Sequence, residues 1–555
     1  MKETQNKKGI SRRQFIKGAA TGTAGVATIS ILGACAPQVV DPTAEATEAA
    51  AAQTGWSWET APEPIAESDI VETIDTEVLV LGAGNSGVSA ACSAAENGAQ
   101  VIVAEKTATI NGRGGGVGAC NSRLNKELGF EIEPVAAQYR WNRTCGNRND
   151  ESLVKLWFDH SGEAMDWLLD KADKRGAACK LYAGYSRSAI APEEPDFHMF
   201  SAGDFAMPPE TGYFVPTALI YADTLDLGVT YLFEHTAVQL IKEGGKVVGA
   251  ILNSADGYKR VKASKAVILA TGDIHGDPEM MQCYAEKRME NIERSDYSPV
   301  GANTGDGHKM GMWAGAVMQD GPFPAALHPQ AGALFHGPFM FVNKEGRRFF
   351  NEANWVQAKS LQIMKQTDHV AYSVFDSNYG QDTKDSLNYG GGMFWDTMSR
   401  SVLDEFDPAE IEATVDAAVE GGVNGFKADT LEELADLIGV NKENFLEQVT
   451  QYNEMCAAGV DSQYAKESVF LYPIQQGPFY ATRVAAAMLV MVGGLHINTD
   501  LQCLDVDDRP IPGLYAVGNT SGDLYAVDYP INMPGNSNGR CLTWGYLAGK
   551  TVAAL

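Results

Sequence analysis

Apolar runs and amphipathic stretches alternate along the first half of the chain and predict its secondary structure. An apolar run at 77–81 is followed by a small-residue helical stretch at 88–97 and a second apolar run at 100–104. Residues 150–180 carry large apolar side chains at spacings of three and four, which is the period of a helix buried on one face. From 229 to 270, β-type runs predict a hairpin and then a buried strand. Together these elements predict an α/β fold.

The pattern changes in the middle of the chain, where the doubly wound alternation is lost. Two acidic helical stretches, 408–420 and 430–458, lie there among aromatic and glycine-rich loops. We therefore predict an inserted second domain at 326–489. It divides a Rossmann-like domain into a first part, 70–325, and a second part, 490–555.

The turn after the first apolar run has the most specific chemistry. Gly82, Gly84 and Gly87 form the pattern G-x-G-x-x-G between a predicted strand and a predicted helix. In that context the first glycine makes a tight turn, the second lets the backbone approach a pyrophosphate, and the third lets helix and strand pack closely. Glu105 ends the second strand, where an acidic side chain binds a ribose hydroxyl. These residues predict a dinucleotide-binding site.

Composition narrows the class of protein further. The chain has 555 residues, 45% hydrophobic and 21% charged, and a formal net charge of -28. So acidic a chain cannot neutralise phosphates, which argues against nucleic-acid binding. The charge fits a soluble protein or one that docks a basic redox partner. No two of the nine cysteines form C-x-x-C, so no metal site is predicted, although an iron–sulfur cluster built from distant cysteines stays open.

Residues 1–35 are predicted to be an export signal rather than part of the fold. Arg12 and Arg13 precede a weakly apolar stretch, 18–34, that is too short and too rich in small residues to span a membrane. This arrangement resembles a twin-arginine signal, which exports proteins already folded around a cofactor.

The end of this signal resembles a lipobox. The sequence Leu-Gly-Ala-Cys ends at Cys35, whose lipidation would anchor the protein on the outer face of the cell membrane. Ordinary cleavage near Ala36 is the alternative. Residues 36–69, rich in Ala, Thr, Glu and Pro, are predicted to form a flexible tether.

Four stretches, in this order and spacing, resemble one family. They are residues 82–105, 304–307, 341–349 and 511–519. Together they are similar to the FAD-binding domain of the fumarate reductase/succinate dehydrogenase flavoprotein family. This family includes soluble fumarate reductases, urocanate reductase, 3-ketosteroid Δ1-dehydrogenases and cardiac glycoside reductases. The resemblance implies a GR2-type FAD domain in two parts that binds FAD non-covalently. It also implies that the inserted segment, 326–489, is an α+β capping domain, with the flavin ring between the two domains.

The resemblance also implies which residues contact FAD. The glycine run at 114–116 would lie along the ribityl chain and the ring. The last helix would point its N-terminus at the flavin, where the helix dipole stabilises negative charge on reduction. The implied FAD-contacting residues are Gly82, Gly84, Ser86, Gly87, Glu105, Lys106, Gly114, Gly115, Gly116, Val238, Thr271, Gly272, Asp306, Asn519, Ser537 and Asn538.

The sequence departs from fumarate reductases where those enzymes clamp a dicarboxylate. The expected arginines are missing just after Glu352, near 375–380 and at 531–535, and 490–494 replaces the histidine-bearing segment. Carboxylate recognition depends on charge-assisted bidentate contacts, so this site would hold a dianion poorly. We therefore predict a small-molecule substrate that is neutral or singly charged and aromatic or alicyclic.

The C-terminal segment instead resembles ketosteroid dehydrogenases and cardiac glycoside reductases. By that resemblance Tyr529, a tyrosine before proline, donates a hydrogen bond to a substrate carbonyl, although packing under the flavin is the alternative. His328 and Glu352 match the family's histidine and glutamate. The acid stays open among Tyr379, His328 and Tyr525, and Glu352 either takes part in catalysis or pairs with a neighbouring arginine.

Three functions are compatible with these residues. The first is an exported FAD-dependent reductase of an activated C=C bond, with electrons from a membrane multihaem cytochrome or quinol dehydrogenase. The second is a ketosteroid-type 1,2-dehydrogenase, which runs the same chemistry in reverse, and fumarate reduction is less favoured than either. The third is a lipid-anchored solute-binding protein without enzymatic activity. The dinucleotide motif and the export signal together favour the first.

Overall fold

The computed structural model describes residues 55–555 except 183, 184, 190, 209–213, 297–300, 334, 390–401 and 403. The predicted signal, the lipobox cysteine Cys35 and the tether up to residue 54 lie outside the described residues.

The strands, in chain order, are β1 (Ile70–Leu81), β2 (Val101–Glu105), β3 (Val117–Gly118), β4 (Ala178–Leu181), β5 (Phe197–Ser201), β6 (Thr230–Phe233), β7 (Thr236–Glu243), β8 (Lys246–Ser254), β9 (Gly257–Leu269), β10 (Arg294–Ser295), β11 (Ala325–His328), β12 (Met340–Val342), β13 (Val370–Phe375), β14 (Gly425–Ala428), β15 (Phe479–Ala485), β16 (Ala487–Met491), β17 (Gln502–Leu504) and β18 (Pro510–Ala516). The α-helices are α1 (Asn85–Glu96), α2 (Arg123–Leu128), α3 (Pro134–Thr144), α4 (Glu151–Arg175), α5 (Val215–Asp226), α6 (Pro278–Tyr284), α7 (Asp306–Trp313), α8 (Val356–Ile363), α9 (Tyr379–Ser386), α10 (Pro408–Glu420), α11 (Leu431–Ile438), α12 (Lys442–Ala458) and α13 (Asn536–Ala553).

An eight-stranded sheet forms the largest layer. Its order is β17-β18-β9-β1-β2-β6, and the hairpin of β7 and β8 joins it through β9. The central strands β18, β9, β1, β2 and β6 run parallel to one another. After β1 the chain passes through α1 to β2 on one side, whereas β9 lies on the other side. This parallel strand order confirms the predicted Rossmann-like α/β fold. In such a fold, ligands bind at the point where the strand order reverses, beyond the carboxyl ends of the strands.

The middle of the chain builds a separate layer. Strands β12, β13, β15 and β14 form an antiparallel sheet in that order. Helices α11 and α12 cover it, and its own apolar core includes Leu434, Phe445 and Tyr452. Strands β11 and β16 pair antiparallel and contain the predicted domain boundaries, near residues 325 and 490. A β-ladder therefore lies where the two layers meet.

Most predicted helices lie where the sequence pattern places them, with one exception. Helix α4 begins after Asp150, whose side chain accepts a hydrogen bond from Ser152 N, and ends at Gly176 with φ +74°. The single helix predicted at 430–458 is instead two, α11 and α12. The chain turns at Gly439, where φ is +65°, a left-handed conformation that only glycine adopts at little cost.

The end of the predicted tether packs on the folded region. Trp58 is buried, and its ring centroid lies 5.5 Å from that of Tyr284. The indole nitrogen of Trp313 donates to the carbonyl of Trp58 at 2.9 Å. The folded region therefore begins near residue 56 rather than at residue 70, because apolar burial outweighs the polar composition of this segment.

The described residues contain neither a membrane-spanning helix nor a metal-binding cluster. No helix in the described ranges is both long and apolar enough to cross a bilayer. The described His, Cys, Asp and Glu side chains form no group of three or more that could hold a metal ion.

Candidate active site

A long cavity begins at the carboxyl ends of β1 and β2 and extends to β11 and β16. Its empty space is about 1670 Å³, counting the part open to solvent. Glu105 and Lys106 line one end, and His328 and Tyr529 line the other. A cavity of this volume has room for a dinucleotide and a second small molecule.

The glycine turn shapes the wall of the cavity. Gly82 has φ +107°, and a Cβ there would lie 2.3 Å from the Ala270 carbonyl oxygen. A Cβ on Gly87 would lie 1.9 Å from the Gly82 oxygen, so this glycine is required by packing and does not itself line the cavity. A Cβ on Gly84 would meet only Asn111 O at 3.8 Å. Gly84 therefore leaves room for a ligand against the backbone.

Helix α1 begins directly at this turn. Its N-cap residue, Gly84, supplies no side-chain acceptor for the first backbone N–H groups. Ser86, in the first turn, lines the cavity. Uncapped N–H groups and the helix dipole form an anion site suited to a diphosphate.

The end of β2 carries the predicted ribose-binding acid. Glu105 is buried, and its Oε2 accepts from Ala83 N at 2.8 Å while its Oε1 accepts from Thr107 N at 2.9 Å. Beside it, Lys106 Nζ lies 2.9 Å from Asp306 Oδ2. These bonds hold the carboxylate rigidly at the cavity wall.

The cavity contacts near the start of β7 differ from the predicted one by one to three residues. Val238 does not line the cavity, whereas His235, Thr236 and Ala237 do. His235 Nδ1 donates to the Phe233 carbonyl at 2.6 Å. Its Nε2 is buried and has no hydrogen-bond partner among the described residues. Buried polar atoms are normally hydrogen-bonded, so this nitrogen at the nucleotide end of the cavity is suited to accept a hydrogen bond from a ligand.

The glycine run at 114–116 lies against the last helix. Asn538 Nδ2 donates to Gly116 O at 2.8 Å, and a Cβ on Gly114 would lie 2.1 Å from the same nitrogen. Helix α13 begins after Gly535, which again supplies no side-chain cap. The backbone N–H of Ser537 donates to Tyr529 Oη at 2.9 Å. A second helix N-terminus therefore lies at the cavity, with Tyr529 as the acceptor of one of its first N–H groups.

The far end of the cavity is mostly apolar. Its polar side chains are Glu193, His328 and Tyr529. The cationic residues of the described lining, Lys106 and Arg113, lie instead at the nucleotide end and beside the glycine run. The apolar residues at the far end are Phe197, Ala326, Val356, Leu489, Val490 and Ile531.

These features fit FAD. The open face at Gly84 and the start of α1 suit a diphosphate, Glu105 suits a ribose, and the orphan nitrogen of His235 suits a base. Thr271, Gly272 and Asn519 lie along the same wall.

Comparison with known proteins agrees with this geometry. A family model described as FAD binding domain matches residues 77–537. The chain belongs to the FAD binding domain family. It is 26% identical over 501 residues to vinyl phenol reductase of Lactiplantibacillus plantarum, covering 86% of this chain and 96% of that protein. It is 29% identical over 515 residues to urocanate reductase of Eggerthella lenta, covering 87% of this chain and 75% of that protein.

A solved structure shows the same fold. The 3-ketosteroid-Δ4-(5α)-dehydrogenase of Rhodococcus jostii superposes with a TM-score of 0.67 and 21% identity, covering 88% of this chain and 99% of the other. The predicted relationship to the fumarate reductase/succinate dehydrogenase flavoproteins is confirmed, as is the fold of an FAD domain with a capping domain. The chain is an FAD-dependent oxidoreductase that acts on CH–CH bonds. This overturns the alternative of a solute-binding protein.

A buried arginine lies close to the FAD cavity. Arg540 is fully buried, and its Nη1 donates to the carbonyls of Val492 and Ser521, each at 3.2 Å. Its Nη2 donates to Asn519 Oδ1, whose residue lines the cavity. Its guanidinium lies 4.7 Å from the ring centroid of Tyr525. Among the described residues no carboxylate forms an ion pair with Arg540, so its charge is compensated only by dipoles and a ring.

Burial sets the protonation states at the far end of the FAD cavity. It lowers the pKa of His328 to about 4, so this imidazole is neutral near pH 7. Burial raises the pKa of Tyr529 well above its ordinary value, so its hydroxyl keeps its proton. Burial also raises the pKa of Glu193 to about 7, against smaller opposing effects of the Ser186 N–H and the Lys359 ammonium. Sequence reasoning missed Glu193.

Two predicted catalytic residues lie outside the FAD cavity. Glu352 is fully buried in an ion-pair network, where its two oxygens each lie 2.8 Å from the Arg348 guanidinium. Arg348 in turn binds Asp461 at 2.9 Å. The alternative of a structural ion pair therefore fits Glu352, and its predicted place in the substrate site is corrected.

The predicted place of Tyr379 is corrected in the same way. Its ring lies 5.0 Å from that of Phe375 and 5.2 Å from that of Tyr480, within an aromatic cluster of the capping layer. Tyr525, the third candidate acid, is fully buried and stacks on Trp141 at 5.5 Å. Neither tyrosine lines the cavity, so neither reaches a substrate there.

Proposed function

We propose that the protein is an exported reductase that uses non-covalently bound FAD to reduce an activated C=C bond of a substrate other than a dicarboxylate. The observation that carries this proposal is the far end of the cavity. There, Tyr529 lies among mostly apolar residues, and the cationic residues of the described lining, Lys106 and Arg113, lie elsewhere along the cavity. Such a site favours an enone, an acrylate-type compound or a lactone over a dianion.

Tyr529 orients and activates the substrate. Its oxygen accepts the N–H of Ser537, which leaves its own proton free for a substrate carbonyl or phenol oxygen. Because burial keeps the hydroxyl neutral, it is a donor at every pH in the ordinary range. Hydrogen bonding at the carbonyl withdraws charge from the conjugated C=C bond and stabilises the enolate-like charge that develops.

Bound FAD would supply the redox chemistry, as the source of a hydride for the β-carbon of the alkene. The chain's own residues exclude water around that carbon through Phe197, Val356 and Ile531. The N-terminus of α13 and the buried charge of Arg540 both favour the negative charge that the reduced cofactor carries.

The relatives support this class of substrate. Vinyl phenol and urocanate, after which two relatives are named, each have a C=C bond conjugated with a ring. The likeness to a ketosteroid dehydrogenase supports the second candidate, dehydrogenation of a saturated ring ketone in the same site. The two directions share every residue above, and the potential of the bound flavin decides between them.

The location and the electron donor belong to the same proposal. The paired arginines and the Leu-Gly-Ala-Cys sequence support export and a lipid anchor at Cys35. A net charge of -28 suits docking of a basic electron carrier, such as a membrane multihaem cytochrome or a quinol dehydrogenase.

An anaerobic assay of the full-length protein loaded with FAD tests the activity. Reduced methyl viologen serves as electron donor, and the panel contains enones, cinnamates, vinyl phenols, steroid enones and fumarate. We expect turnover with at least one neutral or singly charged alkene and little with fumarate. Brisk fumarate reduction, or oxidation of saturated ketones without any alkene reduction, would overturn the proposal.

A further inference from the structure

A glutamate that no motif identifies lies at the substrate end of the cavity. Glu193 belongs to the segment between β4 and β5, and its side chain lines the cavity together with His328 and Tyr529. Its backbone N–H donates to Ser186 O at 2.9 Å, and its Oε2 accepts from Ser186 N at 2.9 Å. The described residues offer no hydrogen-bond partner to its other oxygen, Oε1. One face of the carboxyl group is therefore held while the other faces the cavity.

Two further contacts fix this segment against the substrate site. The backbone N–H of Glu194 donates to Asn532 O at 2.8 Å, next to the cavity residue Ile531. The indole nitrogen of Trp355 donates to Ala191 O at 3.1 Å, next to the cavity residue Val356. Glu193 is thus held between two elements that form the apolar walls. This places its carboxyl group at the substrate end and not at the nucleotide end.

We propose that Glu193 is the acid that protonates the α-carbon of the substrate. This rests on the reductase function proposed above. As the hydride and its electron pair form a C–H bond at the β-carbon, the O–H bond of Glu193 breaks and its proton forms the C–H bond at the α-carbon. The alkene is reduced by two electrons, the flavin is oxidised, and Glu193 becomes a carboxylate. It regains its proton from water when the product leaves.

The other polar groups near the substrate are poorer acids. His328 is neutral near pH 7 and has no imidazolium proton to give. Tyr529 is committed to the substrate oxygen. Asp196 is fully buried, does not line the cavity, and packs under Gly118, where a Cβ would lie 2.8 Å from its Oδ2. Glu193 alone among the described acids combines a carboxyl group with access to the substrate end.

Burial of Glu193 keeps its proton available at neutral pH. Burial raises its pKa to about 7, and the cation that opposes this is Lys359 on α8. Asp196, on its own segment, is also shifted toward the protonated form by burial and by Glu193. Since the acid form of Glu193 predominates below its pKa, proton transfer is half available near pH 7 and fully available only well below it. It is lost as the pH rises through that value.

The test compares wild type with Glu193→Gln in the full-length FAD-loaded protein, using an alkene that wild type reduces. We expect alkene reduction to fall at least about 100-fold, as removal of a general acid does. Reoxidation of the reduced protein by ferricyanide needs no carbon protonation and should stay within about twofold. Glu194→Gln is the matched control, because Glu194 pairs with Arg140 instead of the substrate, and its alkene reduction should remain near that of wild type.

The pH profile separates a proton donor from a structural residue. Wild-type alkene reduction should decline above about pH 7, and this decline should be absent from the residual activity of Glu193→Gln. Unchanged activity and an unchanged decline in that variant would overturn the role of Glu193 alone. If Glu193→Gln does not retain FAD, the role of Glu193 is judged from Glu193→Asp and from the pH profile of wild type. A wild-type rate that stays constant from about pH 5 to 9 overturns the role of Glu193. Failure of wild type with every alkene would overturn the reductase function as well.

Discussion

The phenolic oxygen of Tyr529 accepts a hydrogen bond of 2.9 Å from the backbone N–H of Ser537, the second residue of α13. This contact joins the substrate end of the cavity to the N-terminus of α13, whose residues Ser537 and Asn538 line the cavity. It fixes the direction of the Tyr529 proton, because the oxygen's acceptor side is already occupied. The same helix end therefore serves the cofactor and the substrate.

The first prediction concerns this hydroxyl. Tyr529→Phe should lower alkene reduction about 100-fold, because a single preorganised donor to a developing oxyanion contributes about that much. FAD content and ferricyanide reoxidation should not change. The rate is measured in the viologen-driven assay.

Tyr525→Phe is the control for that experiment. The Tyr525 hydroxyl is fully buried and has no hydrogen-bond partner among the described residues, so its removal breaks no bond. Its activity should stay within about twofold of wild type. Equal activity of Tyr529→Phe and wild type would remove Tyr529 from the mechanism.

A second prediction concerns the potential of the flavin. Arg540 is a buried cation without a carboxylate partner among the described residues, and it bonds the cavity residue Asn519. Arg540→Gln should lower the midpoint potential of bound FAD by about 30 mV or more, which is about 1.4 kcal/mol for a two-electron couple. A dye-coupled anaerobic titration measures it. Arg540→Lys should retain most of the wild-type potential, and a potential that is the same in all three proteins would exclude an electrostatic role.

A third prediction separates two glycines of the same turn. Gly87→Ala should destabilise the protein without FAD by about 1 to 3 kcal/mol, because its Cβ meets backbone. Gly84→Ala should leave that stability unchanged, because φ at Gly84 is -83° and the space beside it is open. It should instead weaken FAD binding. Thermal unfolding and flavin titration distinguish the two, and equal loss of FAD affinity without loss of stability in both variants would contradict this division.

A fourth prediction tests the structural role of Glu352. Glu352→Gln should lower the free energy of unfolding by about 3 kcal/mol, because Arg348 loses a fully buried partner. Glu447→Gln is matched to it, since Glu447 pairs with the neighbouring Arg347 in a more exposed position, and should cost less than about 1 kcal/mol. Denaturant unfolding measures both. A fully stable Glu352→Gln protein without alkene reduction would instead return Glu352 to the catalytic site.

Local signals in the sequence predicted much of this molecule. The helix at 408–420 lies where its pattern predicted, because a proline start and a regular period are local properties. The glycine turn and Glu105 were also visible, since their spacing along the chain is set by the strand–helix–strand unit itself.

The substrate end depends on contacts that no local pattern reveals. Glu193 meets the walls of the cavity only because its segment bonds to residues near 355 and 532, far away in sequence. Glu352 was wrongly predicted in the substrate site. Its family motif does not show that its carboxylate is buried in an ion pair with Arg348. Both outcomes follow from tertiary packing, which decides whether a carboxyl group meets a cation or a cavity.

The most direct measurement follows the flavin absorbance after the anaerobically reduced, FAD-loaded protein is mixed with one alkene at a time. We expect rapid reoxidation by a neutral or singly charged conjugated alkene. Reoxidation by fumarate should be at least about 100-fold slower, because charge-assisted contacts to a dianion are missing. Fumarate as the fastest oxidant, or reduced flavin that no alkene reoxidises, would contradict it.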